Sequence, residues 1–204
     1  MKHKLQQIGI NKMKNVLILG ASGNIASKVI DLLMKNDDIR LNLFLRNPRR
    51  LRNRVNDSCR IVEGDVLNLN GLREALMGID IVYANLAGDL EQMAKNIVMV
   101  MDEKKVKRLI FISSIGIYDE PVRPVLIPYR KAADVIEASD LDYTILRPTW
   151  FTNADEVNYE LTRKSELEKG SVISQKSLAT FIVKVIDSPE NYIRENLGID
   201  KPNS

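Results

Sequence analysis

The run Asn15-Val-Leu-Ile-Leu-Gly-Ala-Ser-Gly-Asn-Ile-Ala26 restricts the possible folds of this chain more than any other segment. An apolar, strand-prone stretch breaks into Gly20-x-x-Gly23-x-x-Ala26, and helical spacing follows at once from Ser27 to Met34. A strand, a glycine turn and a helix in that order aim backbone N–H groups and a helix N-terminus at one point. Gly20 suits the tight turn, Gly23 the close approach of a diphosphate, and Ala26 the packing of helix on strand. Ser22, Asn24 and Ile25 supply the intervening amides. A dinucleotide is the first candidate ligand.

Downstream, short apolar runs alternate with helical patterns. Strands are expected at 40–45, 60–66, 79–84, 108–113 and 142–147, with a late one at 196–199. Helices are expected at 69–77, 89–105, 131–139 and 178–186, with Gly78 and Ser188-Pro189 as stops. This alternation predicts a Rossmann-type, doubly wound, mostly parallel α/β sheet of about seven strands with helices on both faces. Residues 1–12 read as an irregular extension and 13–204 as a single domain, in which 149–204 complete a small substrate-side region.

Composition narrows the chemistry. The single cysteine, Cys59, excludes an internal disulfide framework and fits a reducing cytoplasm; its apolar neighbours mark it as a strand residue rather than a nucleophile. The one histidine, His3, falls in the N-terminal extension, which argues against histidine catalysis and a His/Cys metal site. A net charge of +3 is too small to imply a nucleic-acid partner, and no apolar run is long enough for a membrane span.

The second strand ends Leu45-Arg46-Asn47-Pro-Arg49-Arg50, with no carboxylate in the turn. An acidic residue there would accept a bond from the 2′-OH of NAD, whereas arginine accommodates the 2′-phosphate of NADP. Arg46, with Asn47 beside it, therefore favours NADP(H); the alternative is that Arg46, Arg49, Arg50, Arg52 and Arg54 form a solvated basic face. Asp65 is placed to accept from the adenine amino group with Val66 against the ring, or else is a loop or capping residue. Ala84 and Asn85, at the carboxyl end of the fourth strand, stand where small residues admit the nicotinamide ribose.

The glycine turn, Gly64-Asp65-Val66, Phe111-Ile-Ser-Ser-Ile-Gly-Ile-Tyr118 and Leu141-Asp-Tyr-Thr-Ile-Leu-Arg-Pro148 occur together in this order. The set resembles the atypical short-chain dehydrogenase/reductase superfamily, in its branch of small NmrA-like NAD(P)H-binding proteins, from about Met13 to Pro148. The resemblance implies a seven-stranded Rossmann sheet and NADP(H), with Ser113 and Pro148 completing the cofactor-facing set. Family members that reduce carbonyls use Ser/Thr with a Tyr-x-x-x-Lys dyad. Ser114 is placed like that serine, but the dyad is missing: four residues after Tyr129 stands Ala133. Ser114 and Tyr129 remain the catalytic candidates; Trp150, Phe151 and Tyr159 are candidates for the wall of an acceptor pocket, and core packing explains Trp150 equally well.

Without the dyad, secondary-alcohol oxidation is disfavoured. Hydride delivery to a flavin or quinone needs less help, because the reduced ring delocalises charge and solvent can protonate it. The expected function is thus an NADPH-dependent reductase of a small planar acceptor. The alternative is a non-enzymatic NmrA-like redox sensor that binds NADP and a regulatory protein. A nucleotide-sugar epimerase fits least, for lack of the dyad and of a larger C-terminal region. A monomer or homodimer remains open.

Overall fold

The computed structural model describes residues 13–51, 55–56, 58–167 and 169–204. The N-terminal extension with His3, and Arg52 and Arg54 of the basic stretch, lie outside the described residues. The opening apolar run forms strand β1 (Lys14–Leu19), buried without exception from Val16 to Leu19. Helix α1 (Asn24–Leu33) follows, then β2 (Ile39–Leu45), β3 (Cys59–Glu63) and α2 (Leu69–Ala75). The middle of the chain adds β4 (Ile81–Ala84), α3 (Leu90–Lys104), β5 (Arg108–Ile112), α4 (Ile127–Glu137) and β6 (Asp142–Pro148). The last quarter carries β7 (Trp150–Thr152), β8 (Glu160–Arg163), β9 (Val172–Ser174), α5 (Gln175–Asp187) and β10 (Glu195–Asp200).

The main sheet runs in the order β3-β2-β1-β4-β5-β6-β10-β8. Seven of its strands are parallel, and β8 joins antiparallel to β10 at the edge, so the sheet has eight strands rather than about seven. β7 and β9 form a separate parallel two-stranded ribbon. The extra strands escaped the sequence reading because they are only three or four residues long, too short to carry an apolar period. The chain order reverses between β1 and β4, and ligands of open α/β sheets bind outside the carboxyl ends of strands at such a point.

Each face of the sheet is covered by helices. On one side α1 packs on α5, bringing Ile25, Val29, Phe181 and Ile182 against Val16, Ile18 and Leu43. On the other, α2, α3 and α4 bring Leu72, Ile97, Met101 and Ile136 against Leu17, Val82 and Phe111. Met93 and Met101, on the apolar face of α3, are both buried. Local signals fix the helix ends. Asp89 caps α3 by accepting from the Gln92 N–H, and Lys105 closes it in the left-handed conformation at φ 59°. Ser174 caps α5 through the Ser177 N–H, and Asn68 caps α2.

Candidate functional site

The β1–α1 turn is built by crowding. Gly20 has φ +79°, and a Cβ placed on it would lie 2.1 Å from the Asn85 carbonyl oxygen. Any other residue would push the ends of β1 and β4 apart. Gly23 has ordinary dihedrals but sits where a Cβ would meet the Asn85 side-chain amide at 2.9 Å. As cap of α1, Gly23 offers no side-chain acceptor, and the first turn of the helix holds no acidic residue. A helix leaves its first N–H groups without intrahelical acceptors, so this end is chemically poised for an anion. Ala26 is fully buried, which lets the helix lie close on the sheet.

A cleft of about 520 Å³ opens at this turn. The sequence-derived residues Gly20, Ser22, Gly23, Asn24, Ile25, Arg46, Asn47, Asp65, Val66 and Asn85 all line it. Arg46 and Arg50 give it two exposed guanidinium groups, and Asp65 is its one carboxylate among the described residues. Asn47 accepts from the Arg49 N–H at 3.2 Å and so opens the 3-10 turn Pro48–Arg50 that presents Arg50. Asp65 accepts from the Leu67 N–H at 2.9 Å, an Asx turn that fixes the loop after β3. Val66 is held from behind: its carbonyl accepts from Asn96 Nδ2 at 3.0 Å, and Gln92 Nε2 in turn donates to Asn96 Oδ1 at 2.9 Å.

Other predicted residues are placed elsewhere. Ala84 is fully buried in β4 beneath the cleft. Ser113 is buried at the end of β5, where its N–H donates to the Leu146 carbonyl and its hydroxyl finds no partner among the described residues. The Pro148 carbonyl accepts from the Ile115 N–H at 3.1 Å, tying β6 to the exit of β5. Ser114 Oγ donates to the carbonyl of Ile115 at 3.2 Å. Tyr129 is half-buried against the core of the α3–α4 side. None of these five lines the cleft.

Sequence reasoning missed Phe44, Arg50, Gly64, Met93 and Gln175 as cleft residues. Gly64 had a legible reason only in three dimensions, since a Cβ there would meet the Phe44 ring at 2.4 Å. The expected aromatic wall divides. Phe151 lines this cleft, Trp150 turns away from it, and Tyr159 joins the core beside Phe181 with ring centroids 5.2 Å apart.

Trp150 lines a second cleft, of about 650 Å³, together with Ile115, Gly116, Asp119, Arg123 and Leu167. Arg147, the arginine of the strand-then-Arg-Pro motif, lies in it at 1% exposure. Its Nη1 donates to the carbonyl and side-chain oxygens of Asn196 at 2.9 and 2.6 Å. Asn196 Nδ2 donates to the Tyr118 hydroxyl at 2.7 Å and to Glu137 at 2.9 Å, and Lys164 donates to Glu137 at 2.6 Å. Arg130, Arg147 and Lys164 all approach the Tyr118 ring, at 4.6, 5.3 and 4.5 Å from its centroid. Burial and then the Glu137 charge raise the Tyr118 pKa, so this phenol is held neutral rather than activated.

Among the described residues no group of His, Cys, Asp and Glu is placed to hold a metal, and no helix is long and apolar enough to cross a membrane. The parallel order and the uncapped glycine turn define a nucleotide-binding Rossmann protein. Residues 20–189 match the model of a family described as NAD(P)H-binding, and the chain belongs to that family. Among solved structures it is similar to a Rossmann-fold NAD(P)-binding family protein from Shigella flexneri, at 48% identity over 94% of this chain and 95% of that one, with TM-score 0.88. A short-chain dehydrogenase/reductase from Veillonella parvula, solved in complex with NADP, shares the fold at 24% identity, TM-score 0.82, over 93% and 95% of the two chains. Cinnamoyl-CoA reductase 1 of Petunia hybrida is 28% identical over 76% of this chain, which spans half the length of that relative.

Proposed function

We propose that the first cleft holds NADP(H) and that the protein delivers hydride from NADPH to a small flat acceptor of flavin or quinone type. The observation that carries this reading is the uncapped N-terminus of α1, set between two crowded glycines and facing Arg46 and Arg50. The amides around Ser22 and Asn24 suit the diphosphate, and a guanidinium pair suits a 2′-phosphate better than a ribose hydroxyl. The NADP bound in the Veillonella relative points the same way. When bound, the reduced dinucleotide supplies the hydride.

What this chain's own residues add is mainly position and shielding. Tyr129 lines neither cleft, and Tyr118 is locked in the Asn196–Glu137–Lys164 network with a raised pKa. Neither is arranged as a proton donor of the dyad type. An acceptor that delocalises its new electron pair and takes its proton from solvent matches such a site. Ser114, half exposed at the exit of β5, lines neither cleft, and its hydroxyl is turned onto the Ile115 carbonyl.

The test is NADPH oxidation, followed at the nicotinamide absorbance, against a panel of flavins and quinones. Turnover with NADPH exceeding that with NADH supports the proposal. No turnover across the panel, with the two redox forms of NADP bound unequally, would favour the sensor instead.

A further inference from the structure

We propose that Asn96, a buried asparagine on α3, is a positioning residue of the dinucleotide site: it holds the Val66 peptide so that the loop after β3 selects an adenine ring by its polar edge. The inference rests on the reading of the first cleft as a dinucleotide site and names what fixes its adenine end.

An amide in this place needs a reason. Asn96 is 3% exposed, in the middle of α3, among the buried Met93, Ile97 and Val100. Asparagine is a weak helix former, and a buried amide costs free energy unless both of its ends are bonded. Here both are. Its Nδ2 donates to the Val66 carbonyl at 3.0 Å, and its Oδ1 accepts from Gln92 Nε2, one helical turn earlier, at 2.9 Å. Gln92 thereby fixes which end of the Asn96 amide faces the loop. The bond to Val66 spans 30 residues, so it ties the loop to the helix rather than the helix to itself.

What it ties down is a turn. The Asn68 N–H donates to the Asp65 carbonyl at 2.9 Å, and neither Val66 nor Leu67 has a positive φ. That combination is a type I turn with Val66 in the right-handed helical region, where the N–H and C=O of one residue point opposite ways. Fastening the Val66 carbonyl to α3 therefore turns its N–H away from the helix. Asp65 and Val66 both line the cleft, and the Val66 N–H has no acceptor among the described residues. Asp65 Oδ1 takes the Leu67 N–H, which leaves Oδ2 able to accept. One donor beside one acceptor matches adenine, whose ring nitrogen accepts beside an amino group that donates. Hypoxanthine carries an N–H and a C=O at the same two places and reverses both.

Calorimetry on the full-length protein compares NADP⁺ with nicotinamide hypoxanthine dinucleotide phosphate, which differs only at that edge. The parent should bind NADP⁺ about tenfold more tightly, the worth of one hydrogen bond to a charged group. Asn96→Asp keeps the shape but sets an acceptor against the Val66 carbonyl. It should bring the two coenzymes to within about threefold of each other, chiefly by weakening NADP⁺. Gln92→Leu, at an exposed position, should narrow the gap roughly two- to fivefold, and it carries the test if Asn96→Asp does not fold. The preference for NADP⁺ over NAD⁺, set on another loop by Arg46 and Arg50, should hold in both variants. General loosening would weaken both coenzymes alike and leave their ratio where it was. An unchanged ratio in the folded variants overturns the positioning role, as does a parent that binds the two coenzymes equally. Binding of neither coenzyme by the parent removes the dinucleotide reading itself, and this inference with it.

Discussion

Gly20→Ala separates the two demands placed on the β1–α1 turn. The first demand is conformational, since alanine at φ +79° costs about 1–2 kcal/mol. The second is spatial. The new methyl would sit 2.1 Å from the Asn85 carbonyl oxygen, and that oxygen belongs to backbone leaving β4, not to a side chain that can swing away. Opening the gap to contact distance overpacks the site and adds about 1–3 kcal/mol. Gly78→Ala is the matched control: φ +71°, with nothing within 4 Å of its Cβ. Urea unfolding should therefore show Gly78→Ala down by about 1–2 kcal/mol and Gly20→Ala by about 2–5 kcal/mol. The displaced amides should also weaken NADPH binding, followed by nicotinamide fluorescence, by tenfold or more, ~1.4 kcal/mol. If the two variants lose equal stability and Gly20→Ala binds NADPH like the parent, crowding at Asn85 is not what the glycine is for.

Further outcomes are expected elsewhere in the molecule. Arg46→Ala should shrink the preference for NADP⁺ over NAD⁺ by about 1–2 kcal/mol in calorimetry, with Arg50 retaining part of it until the double variant is made. Asn196→Ala removes at once the side-chain acceptor for Arg147 and the donor to Tyr118 and Glu137, leaving the backbone carbonyl to Arg147; a loss of about 1–3 kcal/mol in urea unfolding is expected, and no measurable change would mean the network is decorative. Hydrogen bonds from Lys95 and Lys131 lower the Glu91 pKa from 4.5 to about 2. A carboxylate with a depressed folded pKa stabilises above its unfolded value and loses that contribution as pH falls through the folded one. Glu91→Gln should thus lower the melting temperature slightly at pH 7, with the difference shrinking between the ordinary glutamate pKa and pH 2 and vanishing below it. Because burial raises the Cys59 pKa, its thiol should react with a disulfide reagent at pH 8 more slowly in the native protein than in urea.

Much of this architecture is written locally. β1, β5 and β6 announce themselves because strands covered on both faces read as nearly unbroken apolar runs, with Arg108 and Arg147 the buried exceptions, and the helices carry boundary signals in Asp89, Gly78 and Ser188. The glycine turn is equally legible, since Gly20 answers to its own dihedral. The second half of each site is not. Phe44 and Met93 reach the first cleft only because of which way a strand or helix face turns, and Gln175 arrives from the start of α5, more than 150 residues along the chain from the turn it joins. Trp150 illustrates the limit most clearly. Core packing and an acceptor wall explained it equally well in the sequence, and its 71% exposure rules out the first.

The ribbon of β7 on β9 is a thin partition, three residues wide and bonded to no other strand. Phe151 lines one cleft and Trp150 the other, so any displacement of β7 is felt on both sides of the ribbon. Inserting a single residue ahead of Trp150 in this ribbon would exchange which aromatic looks into which cleft.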